Sequence, residues 1–393
     1  MSQKHILVVN SGSSSVKLGV FEGGGRLFKG AFERVGSSAC SHRITDGGSL
    51  LLSEGGVPSS SDAPSYGDCV KFFVAKLAEL GVRIDAVGHR VVHGGLKFEK
   101  PVVIDSGTFE ILQGLSPLAP LHQPYNLAGV KACEEALPGV VQVACFDTAF
   151  HAERPIETRR YAIPHRLTEK GVMAYGFHGL SYEHVSSKFA EAFGYQKHSK
   201  VVVCHLGNGS SVCAVQNGKG VSSSMGFTAL EGVPMGTRCG NIDPGVLLYL
   251  LQEEGMSPAE LSDLLYKKSG LLGVSEFSSD VRDLEKAASE GHEGALRALG
   301  HFAERIAEQV VKMAQAMRGI EGVVFTAGIG ENSALVREMV CSKLEWLGLR
   351  LDPKANEACD TVISYPSSSL TVCVIPTDEE GVIARHADCL AFS

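Results

Sequence analysis

The chain has 393 residues, of which 36 are basic and 44 acidic, giving a formal charge of −8. That length exceeds one ordinary core and predicts two domains, or three, at about 150 residues each. No dense Lys/Arg run invites a nucleic acid or an anionic membrane. No apolar stretch approaches the roughly 20 residues of a membrane span, and eleven cysteines with no C-x-x-C pair argue against a disulfide framework or a thiolate metal site. A cytoplasmic setting is expected.

In chain order, residues 6–9 read as a short buried strand. They run into Asn10-Ser11-Gly12-Ser13-Ser14-Ser15 and a return strand ending near Phe21. Half a chain later the pattern recurs at a constant offset: residues 201–206, then Gly207-Asn208-Gly209-Ser210-Ser211, then a strand to Val215. Each hairpin exposes backbone N–H groups and hydroxyls of the kind a phosphate chain needs, and two facing one another would clamp a nucleotide; two ordinary hairpins with similar turns are the alternative. Residues 53–65, rich in Gly, Ser and Pro, read as a surface loop. The spacing of Val70, Phe73, Val74 and Leu77 predicts a helix over 66–80. Val141 to Phe146 reads as a strand that ends on Asp147. Ser257-Pro258-Ala259-Glu260 is a capping box opening a helix that stops near Gly270. A longer helix from about Gly294 presents Leu296, Leu299, Phe302, Ile306, Val310, Met313 and Met317 as a core stripe before Gly319. Residues 323–326 form a buried strand feeding the turn 327–332, an anion-ready corner, and a helix over 333–347. Alternating strands and helices indicate an α/β protein.

Neither G-x-x-x-x-G-K-[ST] nor G-x-G-x-x-G occurs, so a bound nucleotide would use neither a Walker loop nor a dinucleotide fingerprint. Arg90, within Gly88-His89-Arg90-Val91-Val92-His93-Gly94-Gly95, and Arg238, within Met235-Gly236-Thr237-Arg238-Cys239-Gly240-Asn241, lie in glycine-rich, loop-like settings. A planar guanidinium there suits a carboxylate or a transferring phosphoryl group, or else a structural ion pair. His178 sits at a turn sharpened by Gly176 and Gly179, ahead of a helix that Ser181 would cap from Tyr182 onward; it either points into a cleft or is a satisfied core histidine. No H-E-x-x-H spacing supports zinc. Asp147 and Glu379 each follow a strand-like run, as carboxylates that hold Mg²⁺ through water do, or as helix N-caps do.

Taken together, residues 10–17, 175–181, 205–211, 235–240 and 325–332 resemble the acetate kinase family, with its relative propionate kinase, in the family's order and over essentially the whole chain. The resemblance implies the two-domain fold of acetate and sugar kinases, Hsc70 and actin. Such a fold is ribonuclease H-like, with duplicated β-α cores, a central cleft and a cytoplasmic homodimer. It implies an N-terminal domain of residues 1–148 plus 381–393 and a nucleotide-binding domain of residues 149–380. It implies reversible phosphoryl transfer from ATP to acetate with Mg²⁺ or Mn²⁺. By the resemblance, Asn10 and Glu379 are metal-site residues and Lys17 lies near the phosphates. Arg90, Asp147, His178 and Arg238 are the catalytic group, and Arg90, Val92, Leu121, His122, Phe177 and Ala229 meet the substrate. His205, Leu206, Gly207, Asn208 and Gly209, with Gly328, Ile329, Gly330 and Asn332, meet the nucleotide. Asn241 stands where many members carry aspartate, Asp378-Glu379-Glu380-Gly381 where Asn-Glu-Glu-Leu is common, and Ala229 where proline is frequent. Val92 is the acetate-like choice, and some propionate turnover is expected.

Overall fold

The computed structural model describes residues 4–48, 50–59, 63–194 and 199–392. They fall into two compact units, Met1–Phe150 with Asp378–Ser393, and His151–Thr377. The first carries strands β1 (Ile6–Ser11), β2 (Ser15–Glu22), β3 (Gly25–Glu33), β4 (Ser41–Asp46), β5 (Leu51–Gly56), β6 (Ala86–Val91), β7 (Val102–Val103) and β8 (Val141–Phe146). Its helices α1 (Tyr66–Glu79), α2 (Ser106–Gly114) and α3 (Gln123–Ala136) lie between strands in sequence. The second unit opens with α4 (His165–Glu169) and α5 (Gly179–Phe193), followed by β9 (Lys200–Leu206), β10 (Ser210–Gln216) and β11 (Lys219–Ser223). Helices α6 (Pro244–Gln252), α7 (Pro258–Lys267), α8 (Gly270–Ser275), α9 (Val281–Ser289) and α10 (Glu293–Met317) come next. It closes with β12 (Gly322–Thr326), α11 (Ala327–Asn332), α12 (Ala334–Ser342), α13 (Pro353–Ala358) and β13 (Thr371–Val374). The chain then returns to the first unit as α14 (Glu379–Phe392).

Both units are built on one topology. In the first sheet the order β3-β2-β1-β6-β8 runs inside an eight-stranded array; in the second, β11-β10-β9-β12-β13 makes up the whole sheet. Directions match as well: the first three strands of each set are antiparallel, and β1, β6 and β8, like β9, β12 and β13, are parallel. Strands covered on both faces must be apolar throughout, which is why 6–9, 201–204 and 323–325 read as unbroken hydrophobic runs and are buried. Helix α14 packs against β1, β6 and β8. It comes so close that a Cβ at Gly88 would lie 2.6 Å from Ile383 Cγ2, so only glycine leaves room there.

Several local expectations change. The two hairpin turns differ in length: Ser11 faces Val16 across four intervening residues, whereas Leu206 faces Ser210 across three, so the offset is not constant. Residues 53–56 belong to strand β5, whose side chains are mostly exposed and show no alternation; 60–62 lie outside the described residues, and Ser65 caps α1 in a capping box with Asp68. Arg90 sits within the central strand β6 and not in a loop. Helix α5 starts at Gly179 with His178 at its cap, and Ser181 lies inside the first turn. Leu296 is half exposed and falls outside the α10 stripe. The turn 327–332 is the short helix α11, and Ser333 caps α12, which ends at Ser342.

Candidate active site

In the first unit, parallel pairing sets Arg90 beside Cys145, two residues before Asp147, at the carboxyl end of the sheet. Arg90 Nε donates to Asp147 Oδ1 at 3.0 Å and Nη2 to Oδ2 at 2.7 Å, a two-pronged ion pair on a carboxylate that is only 2% exposed. That fork leaves Nη1 over. Burial works against the Arg90 charge, but the carboxylates of Asp147 and Glu379 outweigh it and push its pKa above the ordinary arginine value. Glu379 moves upward too, through burial first and then through the charges of Asp147 and Glu380, against Arg90 and Lys17. Asp378 caps α14, its Oδ1 accepting from Gly381 N at 3.0 Å, so the Glu379 carboxylate is not the cap. Asn10 and Lys17 face one another across the β1–β2 hairpin. Glu379 lies among the carboxylates of Asp147 and Glu380, and carboxylate oxygen is the donor chemistry of a hard divalent cation that keeps several waters. Among the described residues no cluster of three or more His, Cys, Asp or Glu side chains could hold a metal by itself.

The chain after β6 is held from below by α3. Asn126 Oδ1 accepts from Val92 N at 3.0 Å while its Nδ2 donates to Ser11 O at 2.9 Å, tying the end of β6 to the end of β1. Gln123 Nε2 donates to His93 O at 3.1 Å. Val92 is buried, Leu121 is 44% exposed, and His122 occupies the N-cap position of α3 without a side-chain cap bond.

In the second unit His178 adopts a left-handed backbone, φ 59° and ψ 25°, which is uncommon away from glycine. The loop before it is clamped: buried Arg154 Nη2 donates to Ala174 O at 2.9 Å and Tyr175 O at 2.6 Å, and His151 Nε2 meets Phe177 O at 2.8 Å. The His178 ring stacks on His205 at 4.1 Å between centroids. Its Nδ1 meets Ser211 Oγ at 2.8 Å, and Tyr182 OH bonds the same hydroxyl. His205 Nδ1 meets Ser181 Oγ at 2.8 Å, to which Thr377 Oγ1 donates at 2.8 Å. A Cβ at Gly209 would lie 3.4 Å from His178 Nε2 and 3.8 Å from Arg238 Nη1, so both cationic or polar groups crowd the second glycine turn. Arg238 Nη1 also donates to Ala229 O at 3.1 Å, fixing the segment that carries Ala229.

A cavity of about 670 Å³ opens beside the same turn. Gly207, Asn208, Gly328, Ile329 and Asn332 line it, joined by Ser279, Asp280, Val281, Arg282, Glu285 and Ser333. Leu206 is fully buried in the core, and His205 is turned to the histidine stack, so of these two nucleotide candidates neither lines the cavity. Gly330 O accepts from buried Arg337 Nη1 at 3.0 Å, a structural bond. The first amide of α11, Ala327 N, already donates to Glu331 Oε1 at 2.8 Å, and Thr377 N donates to the same oxygen at 3.0 Å, so the expected anion corner holds its own carboxylate. Asp280 and Arg282 were not foreseen because, in sequence, they look like an ordinary capped helix start; Asp280 does cap α9 and pairs with the Arg282 side chain at 3.0 and 2.6 Å.

Two copies of a ribonuclease H-like core define the fold of acetate and sugar kinases, Hsc70 and actin. The Acetokinase family model matches residues 5–385. An acetate kinase of Methylocella silvestris is 46% identical over 97% of this chain and 96% of its own, and that of Bacillus subtilis 44% over 98% and 99%. Among solved structures, a propionate kinase from Francisella tularensis superimposes with TM-score 0.92 at 37% identity, covering 98% of this chain and 100% of its own. Porphyromonas gingivalis acetate kinase does so with 0.89 at 41%, covering 98% and 99%. The chain belongs to the acetokinase family, phosphotransferases that use a carboxyl group as acceptor.

Proposed function

We propose that this chain catalyses reversible, Mg²⁺-dependent transfer of the γ-phosphoryl group of ATP to acetate, giving acetyl phosphate and ADP. The observation that carries the reading is the convergence of His178 Nε2 and Arg238 Nη1 on Gly209, at the glycine turn that also borders the large cavity. The cavity takes the nucleoside, with Gly207, Asn208, Gly328, Ile329 and Asn332 against it and Asp280 and Arg282 at its rim. Lys17 serves the phosphates.

A carboxylic acid with a pKa of about 4 is ionised at neutral pH, so the nucleophile needs no general base. The difficulty is bringing two anions into line. Arg90 neutralises the acetate carboxylate, and Asp147 holds the guanidinium in place rather than accepting a proton. His178 and Arg238 donate to the phosphoryl oxygens, where charge spreads in a loose transition state. Asn10 and Glu379 would hold Mg²⁺, which screens the phosphate charge when bound. Val92, Leu121, His122, Phe177 and Ala229 shape the acyl end.

Helix α6 is almost wholly apolar in sequence, yet none of its residues is buried, and Leu248 and Tyr249 stand more than half exposed. An uncovered face of that kind supports a homodimer. Acyl phosphate trapped with hydroxylamine, alongside ADP release, tests the whole reading across acetate, propionate, butyrate and a no-acid control. Acetate-dependent product is the expected result. Greater turnover with propionate would make the chain a propionate kinase, and ADP release without acid would point to a nucleotide-driven binding protein.

A further inference from the structure

We propose that Tyr182, acting through Ser211, sets the tautomer of His178 so that Nε2 carries the ring proton; both are positioning residues for the histidine. The proposal rests on the reading that His178 Nε2 meets a phosphoryl oxygen.

A neutral imidazole has a single N–H, and the partner of one nitrogen decides what the other offers. Nδ1 of His178 faces Ser211 Oγ, and that hydroxyl, with one proton to give, also bonds Tyr182 OH. Ser211 is fully buried and its hydroxyl meets no third side-chain or backbone acceptor among the described residues, so its proton goes either to Nδ1 or to the phenol, and the chain of bonds runs in one of two senses. In one, the phenol donates to Ser211, Ser211 donates to Nδ1, and Nε2 is left as an N–H. In the other every bond is reversed and Nε2 shows a lone pair. A phenol is the more acidic donor and the poorer acceptor of the two hydroxyl types, which selects the first sense. A lone pair at Nε2 would repel phosphoryl oxygens at Gly209; an N–H there binds them.

The neighbouring ring repeats the arrangement. His205 Nδ1 meets Ser181 Oγ, and Ser181 accepts from Thr377 Oγ1. Each ring of the stack thus ends on a serine that itself meets a second hydroxyl. Tyr182, Ser211 and Ser181 are fully buried, so bulk water does not compete for these bonds. Tyr182 lies one turn along α5 from His178, and its N–H donates to His178 O at 3.1 Å. The backbone that holds His178 left-handed therefore also aims the phenol at Ser211.

Long-range ¹H–¹⁵N spectra of the ligand-free, full-length protein labelled with ¹⁵N-histidine read the tautomer directly, with the His178 signal assigned by its loss in His178→Gln. We expect the Nε2–H form in the unmodified protein. In Tyr182→Phe the Nδ1–H form should gain, and kcat should fall about tenfold, the scale of one hydrogen bond, with KM for ATP and acetate unchanged. Ser211→Thr, which keeps the hydroxyl, should retain the original tautomer, whereas Ser211→Ala should lose it; this pair makes the same comparison should Tyr182→Phe fail to fold. An unchanged tautomer and an unchanged kcat in folded Tyr182→Phe, or in folded Ser211→Ala, would overturn the proposal. Full turnover in folded His178→Ala would instead sink the underlying assignment of His178, leaving the tautomer result to be judged on its own.

Discussion

Replacing Asp147 with asparagine isolates the fork that holds Arg90. Asn keeps one acceptor oxygen but turns an NH₂ toward Arg90 Nη2, so the 2.7 Å bond becomes two donors face to face while the 3.0 Å bond to Nε survives. A hydrogen bond to a charged group contributes about 1.5–3 kcal/mol, and removing one partner of a buried pair costs about 3–5 kcal/mol. Glu379 stays near Arg90 and offsets part of the loss, so Asp147→Asn should destabilise the protein by about 2–3 kcal/mol. A guanidinium released by even 1 Å should lower acetyl phosphate formation about a hundredfold. The Arg90→Ala background reverses the sign: there Asp147 is a buried carboxylate without its counter-charge, and Asp147→Asn should be neutral or stabilising. Calorimetric unfolding of the four proteins in that cycle, with hydroxylamine trapping for activity, measures both effects. Equal stability costs in the two backgrounds would refute the idea that Asp147 acts by holding Arg90. A rate that climbs steeply near neutral pH, and does so only while Asp147 is present, would make it a proton acceptor instead.

Arg238→Ala should reduce turnover about a thousandfold, on the scale of transition-state arginines, with ADP affinity by calorimetry little changed; near-normal turnover would remove it from the chemistry. Val92→Ala should raise the propionate-to-acetate ratio of kcat/KM about tenfold, since one methylene in such a pocket amounts to about 1–3 kcal/mol, and an unmoved ratio would place Val92 away from the acyl group. Burial lowers the His89 pKa from 6.5 to about 4. The unfolded chain then binds a proton that the folded one refuses, so this contribution to stability is complete above pH 6.5 and declines by about 1.4 kcal/mol per pH unit down to pH 4. His89→Gln should flatten that part of the unfolding-midpoint profile, and a slope identical to the parent's would show that His89 is not its source.

Local sequence dictates structure where the residue pattern and the tertiary environment agree. The doubly covered strands 6–9, 201–204 and 323–325 admit only apolar side chains, and the capping box at Ser257 closes on Glu260 within the helix it starts. Strand β5 was invisible because its side chains are exposed and lack a period of two. Ser181 looks like a cap that would start α5 at Tyr182, but its hydroxyl is engaged with His205 and Thr377 from distant parts of the chain and the helix begins at Gly179. The same limit hid Asn126, whose role depends on Ser11 lying across the sheet, and Arg282, which a sequence shows only as one more charge on a helix start. Motifs could propose Arg90 and Asp147 separately; only parallel pairing of β6 with β8 makes them one device.

Helix α14 covers strands laid down by residues 6–11, 86–91 and 141–146, yet it follows the whole of the second unit in the chain. On the ribosome, where synthesis proceeds from the N-terminus, residues 151–377 can therefore reach their native form while the earlier segment still waits for the helix that packs on β1, β6 and β8. The first sheet to be translated is the last to be finished, and Gly88 keeps its notch open for a helix that arrives nearly three hundred residues later. Damage to the tail of the chain should accordingly be felt at the Arg90 strand before it is felt anywhere in the histidine stack.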